Sequence, residues 1–163
     1  MADDGDWIEM FKIQQLLYRY FDAVNRADLV AMRALYADDA VWEIPLMGMR
    51  CDSGDAYIEL FRESTATAEF MIMTPHCPVI DLLGTDAARA RTTAHELTRG
   101  TASEDGALGE KGAVVTYQNF GIYYDEIARI GGEWRFRHRT YVPIYMDLAP
   151  VTGSVATERA SIP

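Results

Sequence analysis

The sequence predicts an α+β fold: an antiparallel sheet with helices packed on one face. Three observations predict it. Apolar residues recur at helical spacing early in the chain, at Ile13, Leu16, Leu17, Tyr20 and Val24. From about Glu69 onward the pattern changes to β-rich runs bounded by turn residues. The last two runs meet at Gly131-Gly132, a pair suited to a two-residue hairpin. Helices grouped ahead of hairpin-connected strands favour this class over alternating βαβ units.

Each element has its own warrant. The first helix spans about Asp6 to Asn25, with Phe11 and Phe21 widening its apolar face. Asp28 caps a short second helix through Leu29, Met32, Leu35 and Tyr36, and Asp38-Asp39 ends it. Ala40 to Ile44 reads as a strand that Pro45 stops. Met47-Gly48-Met49 is a plain connection or a lid over a pocket. Ser53 or Asp52 caps a third helix with Tyr57, Ile58, Leu60 and Phe61 inward. Phe70 to Leu83 carries Pro75 and Pro78 around His76 and Cys77, which marks an edge strand or a bulge. Gly84 to Asp86 is a turn, Ala87 to Thr101 a strand, and Ala102 to Gly112 a polar hairpin loop. Residues 1–147 form one domain, and 148–163 an extended or mobile tail.

At 163 residues the chain is long enough for a sizeable core. Its net charge of −10 repels phosphate backbones and anionic membrane surfaces, which argues against nucleic-acid and membrane partners. No apolar run reaches the roughly 18 residues that span a bilayer. Cys51 and Cys77 are the only cysteines, and neither has a metal-ligand spacing, so no metal is expected. The acidic MADDGDW start is unlike a signal peptide, and the expected location is cytoplasmic with both thiols reduced.

The final hairpin holds the first functional lead. With Gly131-Gly132 as the turn, Ile127 faces Phe136, Asp125 faces His138 and Tyr123 faces Thr140 on the apolar side. Glu126 and Arg137 then pair on the wet side, where Arg139 also lies. A carboxylate and an imidazole on an apolar face must be paired. Asp125 and His138 are therefore expected to form either an orienting dyad, with His138 as a general base, or a structural pair.

Beyond these local signals there is a diffuse resemblance from Ile8 to Asp147. It rests on Leu16, Tyr20, Asp28, Leu35, Tyr36 and the run Asp38 to Trp42. At the other end it rests on Gly121, Tyr123, Asp125, Arg129, Gly131-Gly132, Trp134 to Phe136 and Arg139. These resemble the nuclear-transport-factor-2-like superfamily, the cystatin-like cone fold, and within it the SnoaL-like branch of polyketide cyclases and small dehydratases. The resemblance implies a strongly curved sheet forming a cone, an apolar pocket closed by the N-terminal helices, a homodimer or homotrimer, and no cofactor. Dehydratases of this type use a tyrosine and an aspartate of the first helix with a strand histidine. Tyr20 matches the tyrosine, the aspartate position is Asn25, and the histidine position is Met73, with His76 three residues later. An acidic residue on the following strand would be Glu96. The segment Tyr36 to Pro45 also resembles the first strand of small subunits of aromatic-ring-hydroxylating dioxygenases, where the fold serves assembly.

The candidate catalytic residues are thus Tyr20, His76, Asp125 and His138. Tyr20 polarises a carbonyl or simply finds a backbone partner. His76 serves acid/base chemistry if a bulge turns it inward, and is otherwise a surface residue. His95 shares parity with Arg89 and Arg91 and belongs outside. Glu96 has the opposite parity, and burial there raises its pKa. Asn25 orients a substrate or caps the first helix. Trp42, Met73, Tyr117, Asn119, Tyr123 and Phe136 line an aromatic pocket or form core. The combined expectation is a cofactor-independent lyase or isomerase acting on a hydrophobic cyclic small molecule. The alternatives are a non-catalytic dioxygenase-type small subunit and a binding module without turnover.

Overall fold

The computed structural model describes residues 4–102 and 110–153. Helix α1 (Asp4–Arg26) buries Ile13, Leu17, Tyr20, Phe21 and Val24, as its periodicity predicts. Phe11 is 60% exposed and lies off that face, contrary to expectation. The helix stops at Ala27, which takes a left-handed φ of 52°. Asp28 then caps α2 (Leu29–Ala34) by accepting a hydrogen bond from the Ala31 amide at 2.9 Å.

Strand β1 (Tyr36–Ile44) starts four residues earlier than expected, at the point assigned to the end of the second helix. Pairing wins over local spacing here. Tyr36 lies beside Phe136 in the sheet with ring centroids 5.2 Å apart, and the Phe136 amide donates to the Leu35 carbonyl. Asp38 and Asp39 are exposed inside the strand instead of ending a helix. The turn Pro45–Met47, with Gly48 at φ 65°, leads into β2 (Met49–Cys51), which pairs back on β1. Pro45 to Gly48 is therefore the turn of a short hairpin, and Met49 already belongs to its second strand. Ser53 caps α3 (Gly54–Ser64), which turns Tyr57 and Phe61 into the core.

The remaining strands are β3 (Ala68–Pro75), β4 (Val79–Leu82), β5 (Ala87–Thr101), β6 (Val114–Ile130) and β7 (Glu133–Asp147). They form one curved sheet in the order β2-β1-β7-β6-β5-β3, with β4 also on β5. All pairs are antiparallel except β1 with β7, and the sheet is not closed. Three residues, His76 to Pro78, oppose Thr92 and Thr93, so the proline-flanked segment is a bulge. It does not turn His76 inward. The His76 amide donates to Thr93 O at 2.8 Å while its side chain stays exposed. Most of the expected loop from Ala102 to Gly112 lies outside the described residues, but its ends meet, Gly112 N donating to Ala102 O. Arg99 donates to the carbonyls of Val151 and Gly153, so the start of the tail lies on the chain's own sheet. Residues 154–163 are outside the described set. No helix among the described residues is long and apolar enough to cross a membrane.

The last hairpin keeps its expected register only from Ile130–Glu133 to Ile127–Phe136. Arg137 is then an extra residue on β7. Beyond it Glu126 faces His138 and Asp125 faces Arg139. The expected Asp125–His138 pair does not exist, and neither does the Glu126–Arg137 pair. Arg137 bonds Asp39 at 3.0 Å, while Glu126 reaches Arg89 at 3.4 Å.

The hairpin's end is pinned to α1 by one carboxylate. Glu9 accepts from Lys12, from the Trp134 indole at 2.7 Å and from Arg129. Lys12 first, then Trp134 and Arg129, hold its pKa at about 2 against the usual 4.5. A depressed carboxylate stabilises the fold above its unfolded pKa, and that contribution disappears as pH falls through the folded value. Thermal melts of Glu9→Gln should therefore fall below wild type at pH 7 and converge with it near pH 2. Equal melting temperatures at pH 7 would remove this role.

Candidate functional site

The inner face of the sheet has two zones. In the first, Arg139 and Asp125 are both fully buried, joined by Nε–Oδ1 at 2.7 Å and Nη2–Oδ2 at 3.2 Å. Burial pushes the Asp125 carboxyl up, against the pull of Arg139. The guanidinium carbon sits 3.9, 4.0 and 4.2 Å from the ring centroids of Tyr20, Phe136 and Tyr123. Such an aromatic cage replaces part of the hydration that the cation has lost. Sequence reasoning placed Arg139 on the wet face because the bulge at Arg137 reverses its side. One signal was available: a buried Asp125 demands a cation, and Arg139 lies one residue from the assumed partner.

Hydroxyl groups lead outward from this cage. Tyr20 Oη is 2.7 Å from Tyr57 Oη and 3.4 Å from Tyr123 Oη, and Tyr57 stacks on Trp42 with centroids 4.8 Å apart. Burial raises the pKa of both Tyr57 and Tyr123. Tyr123 donates to Met73 Sδ at 3.8 Å. Asn25 does not reach this interior. Its amide bridges the Met73 backbone, donating to the carbonyl at 3.0 Å and accepting from the amide at 2.7 Å. That two-point contact imitates a strand partner and fastens the end of α1 to β3. Asn25 thus latches α1 to β3 from inside the helix, which runs one residue beyond it.

In the second zone, Glu96, Tyr117, Asn119 and Tyr141 come together. Glu96 accepts from Thr98 at 3.1 Å and from Asn119 at 3.4 Å, and no ion pair joins it among the described residues. Desolvation raises its carboxyl pKa, and the two hydrogen bonds only partly oppose this. The Tyr117 phenol is pushed up to about 12 by burial and then by the Glu96 charge. The same two causes, in the same order, push Tyr141 higher still. Gly121 makes room for Tyr141: a Cβ there would lie 2.3 Å from the phenol oxygen. Trp42 Nε1 is buried without a hydrogen-bond partner among the described residues, while the Asn119 amide lies against the Tyr141 hydroxyl and opposes the rise in its pKa. Buried polar atoms in that condition are uncommon and ask for a partner.

The remaining candidates lie elsewhere. His138 is on the outer face, with Nε2 2.8 Å from Glu43 Oε1, a contact that heads the causes lowering the Glu43 pKa. His95 is outside as expected, stacked on Phe120 at 4.1 Å. Phe136 and Tyr123 face inward as core and as walls of the cage. Among the described residues no three His, Cys, Asp or Glu side chains group as a metal site would require. Around Glu96 the inner face thus combines a carboxyl without a cation, two phenols and an amide, a set able to move a proton.

Comparison with known proteins supports the fold. A candidate scytalone dehydratase of Novosphingobium aromaticivorans superposes with a TM-score of 0.75 at 17% identity, over 93% of this chain and 94% of that one. A type 2 LinA hexachlorocyclohexane dehydrochlorinase gives 0.79 at 15%, over 95% and 99%. A protein of unknown function with a cystatin-like fold from Nostoc punctiforme gives 0.63 at 14%, over 87% and 93%. None of the curated protein sequences matches the chain. Residues 9–140 match the SnoaL-like domain model, and over that span the chain belongs to the SnoaL-like family.

Proposed function

We propose that the protein is a lyase or isomerase that works by proton transfer, without a cofactor, on a hydrophobic cyclic small molecule bound inside the cone. The observation that carries this reading is Glu96: a carboxyl on the inner face, raised in pKa by desolvation, without a cation to neutralise it. Such a group holds a proton more readily than an ordinary carboxylate and is the stronger base for it. In this reading Glu96 takes a proton from a ring carbon. The freed electron pair forms a new double bond as a leaving group departs from the adjacent carbon, or is held as an enolate. The Tyr141 hydroxyl donates to the departing or carbonyl oxygen, and the neighbouring Asn119 amide holds that phenol in place. Trp42, Met73 and Tyr117 form the walls. Tyr20 supports the floor through Tyr57. The likeness to a dehydratase-type and a dehydrochlorinase structure agrees with an elimination.

The test is deuterium exchange. Hydroaromatic ketones and cyclic alcohols are incubated with the protein in D2O and examined by NMR. Label at the carbon next to the carbonyl, or loss of water, is expected above the buffer rate. Saturable binding in the cone with no exchange and no product across the panel would replace this reading with that of a binding module. We further propose a homodimer or homotrimer, to be checked by native mass. A hetero-assembly with a larger iron-containing subunit would favour the small-subunit alternative instead.

A further inference from the structure

A hollow lies on the outer side of α1, away from the inner face of the sheet. A cleft of about 420 Å³ opens between the exposed side of α1 and the tip of the β6–β7 hairpin. Its floor is apolar, made of Leu16, Leu35 and Trp134, with the exposed Phe11 ring on one wall. Its rim carries Lys12, Arg19 and Arg135 against a single carboxylate, Glu133. Phe11, Gln15 and Arg19 recur every four residues, so one stripe of α1 supplies both the apolar wall and a cation.

The ion pairing across the molecule singles this cleft out. The chain has 25 acidic residues against 15 lysines and arginines, so carboxylates are in excess. Every other arginine among the described residues forms an ion pair with a carboxylate. Arg19 and Arg135 do not, and both line this cleft. The nearest acidic influence on Arg135 is through Asp38, whose carboxylate is already bonded to Arg33 at 2.6 Å. Lys12 is committed to Glu9. Two guanidinium groups are thus left over at the edge of an apolar hollow whose volume falls in the usual range for small-molecule sites. Guanidinium forks favour carboxylate geometry. The position is local enough that the negative field of distant residues is screened at physiological salt.

We propose that this cleft binds an amphipathic organic anion: a carboxylate on an aromatic or alicyclic body, the ring on Leu35, Trp134 and Phe11 and the charge between Arg19 and Arg135. The site is independent of the cone and of the chemistry assigned to Glu96. The probe for the test is 2-naphthoate, with 2-naphthylmethanol as its neutral counterpart, titrated into the full chain and followed by NMR. Saturable shifts are expected at the Trp134 indole and at the side-chain signals of Arg19 and Arg135. The neutral compound should bind about tenfold more weakly, as should 2-naphthoate to the Arg19→Gln/Arg135→Gln variant. Neither arginine holds another element in place, so the variant should keep the wild-type melting temperature. The shift map on the unaltered protein does not depend on it. Binding that maps to Glu96 and Tyr141, equal affinity for the neutral compound, unchanged affinity in the double variant, or no saturation at millimolar probe would each overturn the proposal.

Discussion

Arg139→Met should destabilise the protein by about 3–5 kcal/mol, because it leaves the Asp125 carboxylate fully buried with no cation. For a domain of this size that corresponds to a fall in Tm of roughly 6–20 °C. The methionine still packs on Tyr20, Tyr123 and Phe136, so the loss reports the charge rather than a hole. Arg139→Lys keeps the charge but loses the fork and should fall between the two. The double variant Asp125→Leu/Arg139→Met removes both charges and should recover most of the stability, since a packed apolar pair often equals a buried ion pair. Thermal and denaturant melts of the four proteins at pH 7 decide the matter. If the single methionine variant melts with wild type, the pair does not organise the core around Tyr20, Tyr123 and Phe136. If the double variant is no better than the single one, the cation–ring contacts matter more than the charge balance.

The same pair marks where the sequence could be read and where it could not. The faces of the first and third helices, the capping by Asp28 and the glycine turn depend on residues a few positions apart and were legible, as was the third helix's cap to within Asp52 or Ser53. The extra residue at Arg137 depends on which of Arg135, Arg137, His138 and Arg139 turns inward, a choice that the hairpin turn alone does not make. Filling the core made it: Arg139 reaches both oxygens of Asp125, while His138 finds Glu43 across the parallel β1–β7 pair. That parallel pair was itself hidden, because the helical spacing of Leu35 and Tyr36 masks the start of β1. The inward position of Glu96 was legible from parity, since no bulge separates it from Ala88, Ala90 and Ala94 on β5. The bulge around His76 was legible as well, but the direction in which it turns the imidazole was not.

These points limit the chemistry that can be assigned to the interior. Tyr20 lies within a hydroxyl chain at the floor, where its oxygen is shared between Tyr57 and Tyr123. The two histidines considered as bases are on other surfaces. Asp125 is tied to Arg139, so among the described residues the inner-face carboxyl raised in pKa and not held by a cation is Glu96, and the strongest functional prediction rests on it.

Glu96→Gln should lower kcat/KM for the exchange or elimination by about 10²–10⁴-fold, the range in which general bases contribute, while binding in the cone changes little. In the wild-type protein the acidic limb of kcat/KM should fall with a single proton, at a pH above the ordinary glutamate value, because desolvation raises the Glu96 pKa. Stability should move the opposite way. With the folded pKa above the unfolded one, the folded state holds the proton longer, so wild-type stability declines as pH rises through that window. Glu96→Gln carries no charge to desolvate. It should therefore melt higher than wild type above the folded pKa and lose that advantage below the unfolded one. Glu96→Asp, with its carboxyl withdrawn from the substrate, should retain the pH dependence of stability but little of the activity. Joint loss of turnover and gain of neutral-pH stability is the signature of a site held against the preferences of the fold. A Gln variant with full activity would remove Glu96 as the base. One that melts lower than wild type at neutral pH would mean that the carboxylate is a structural acceptor for Thr98 and Asn119.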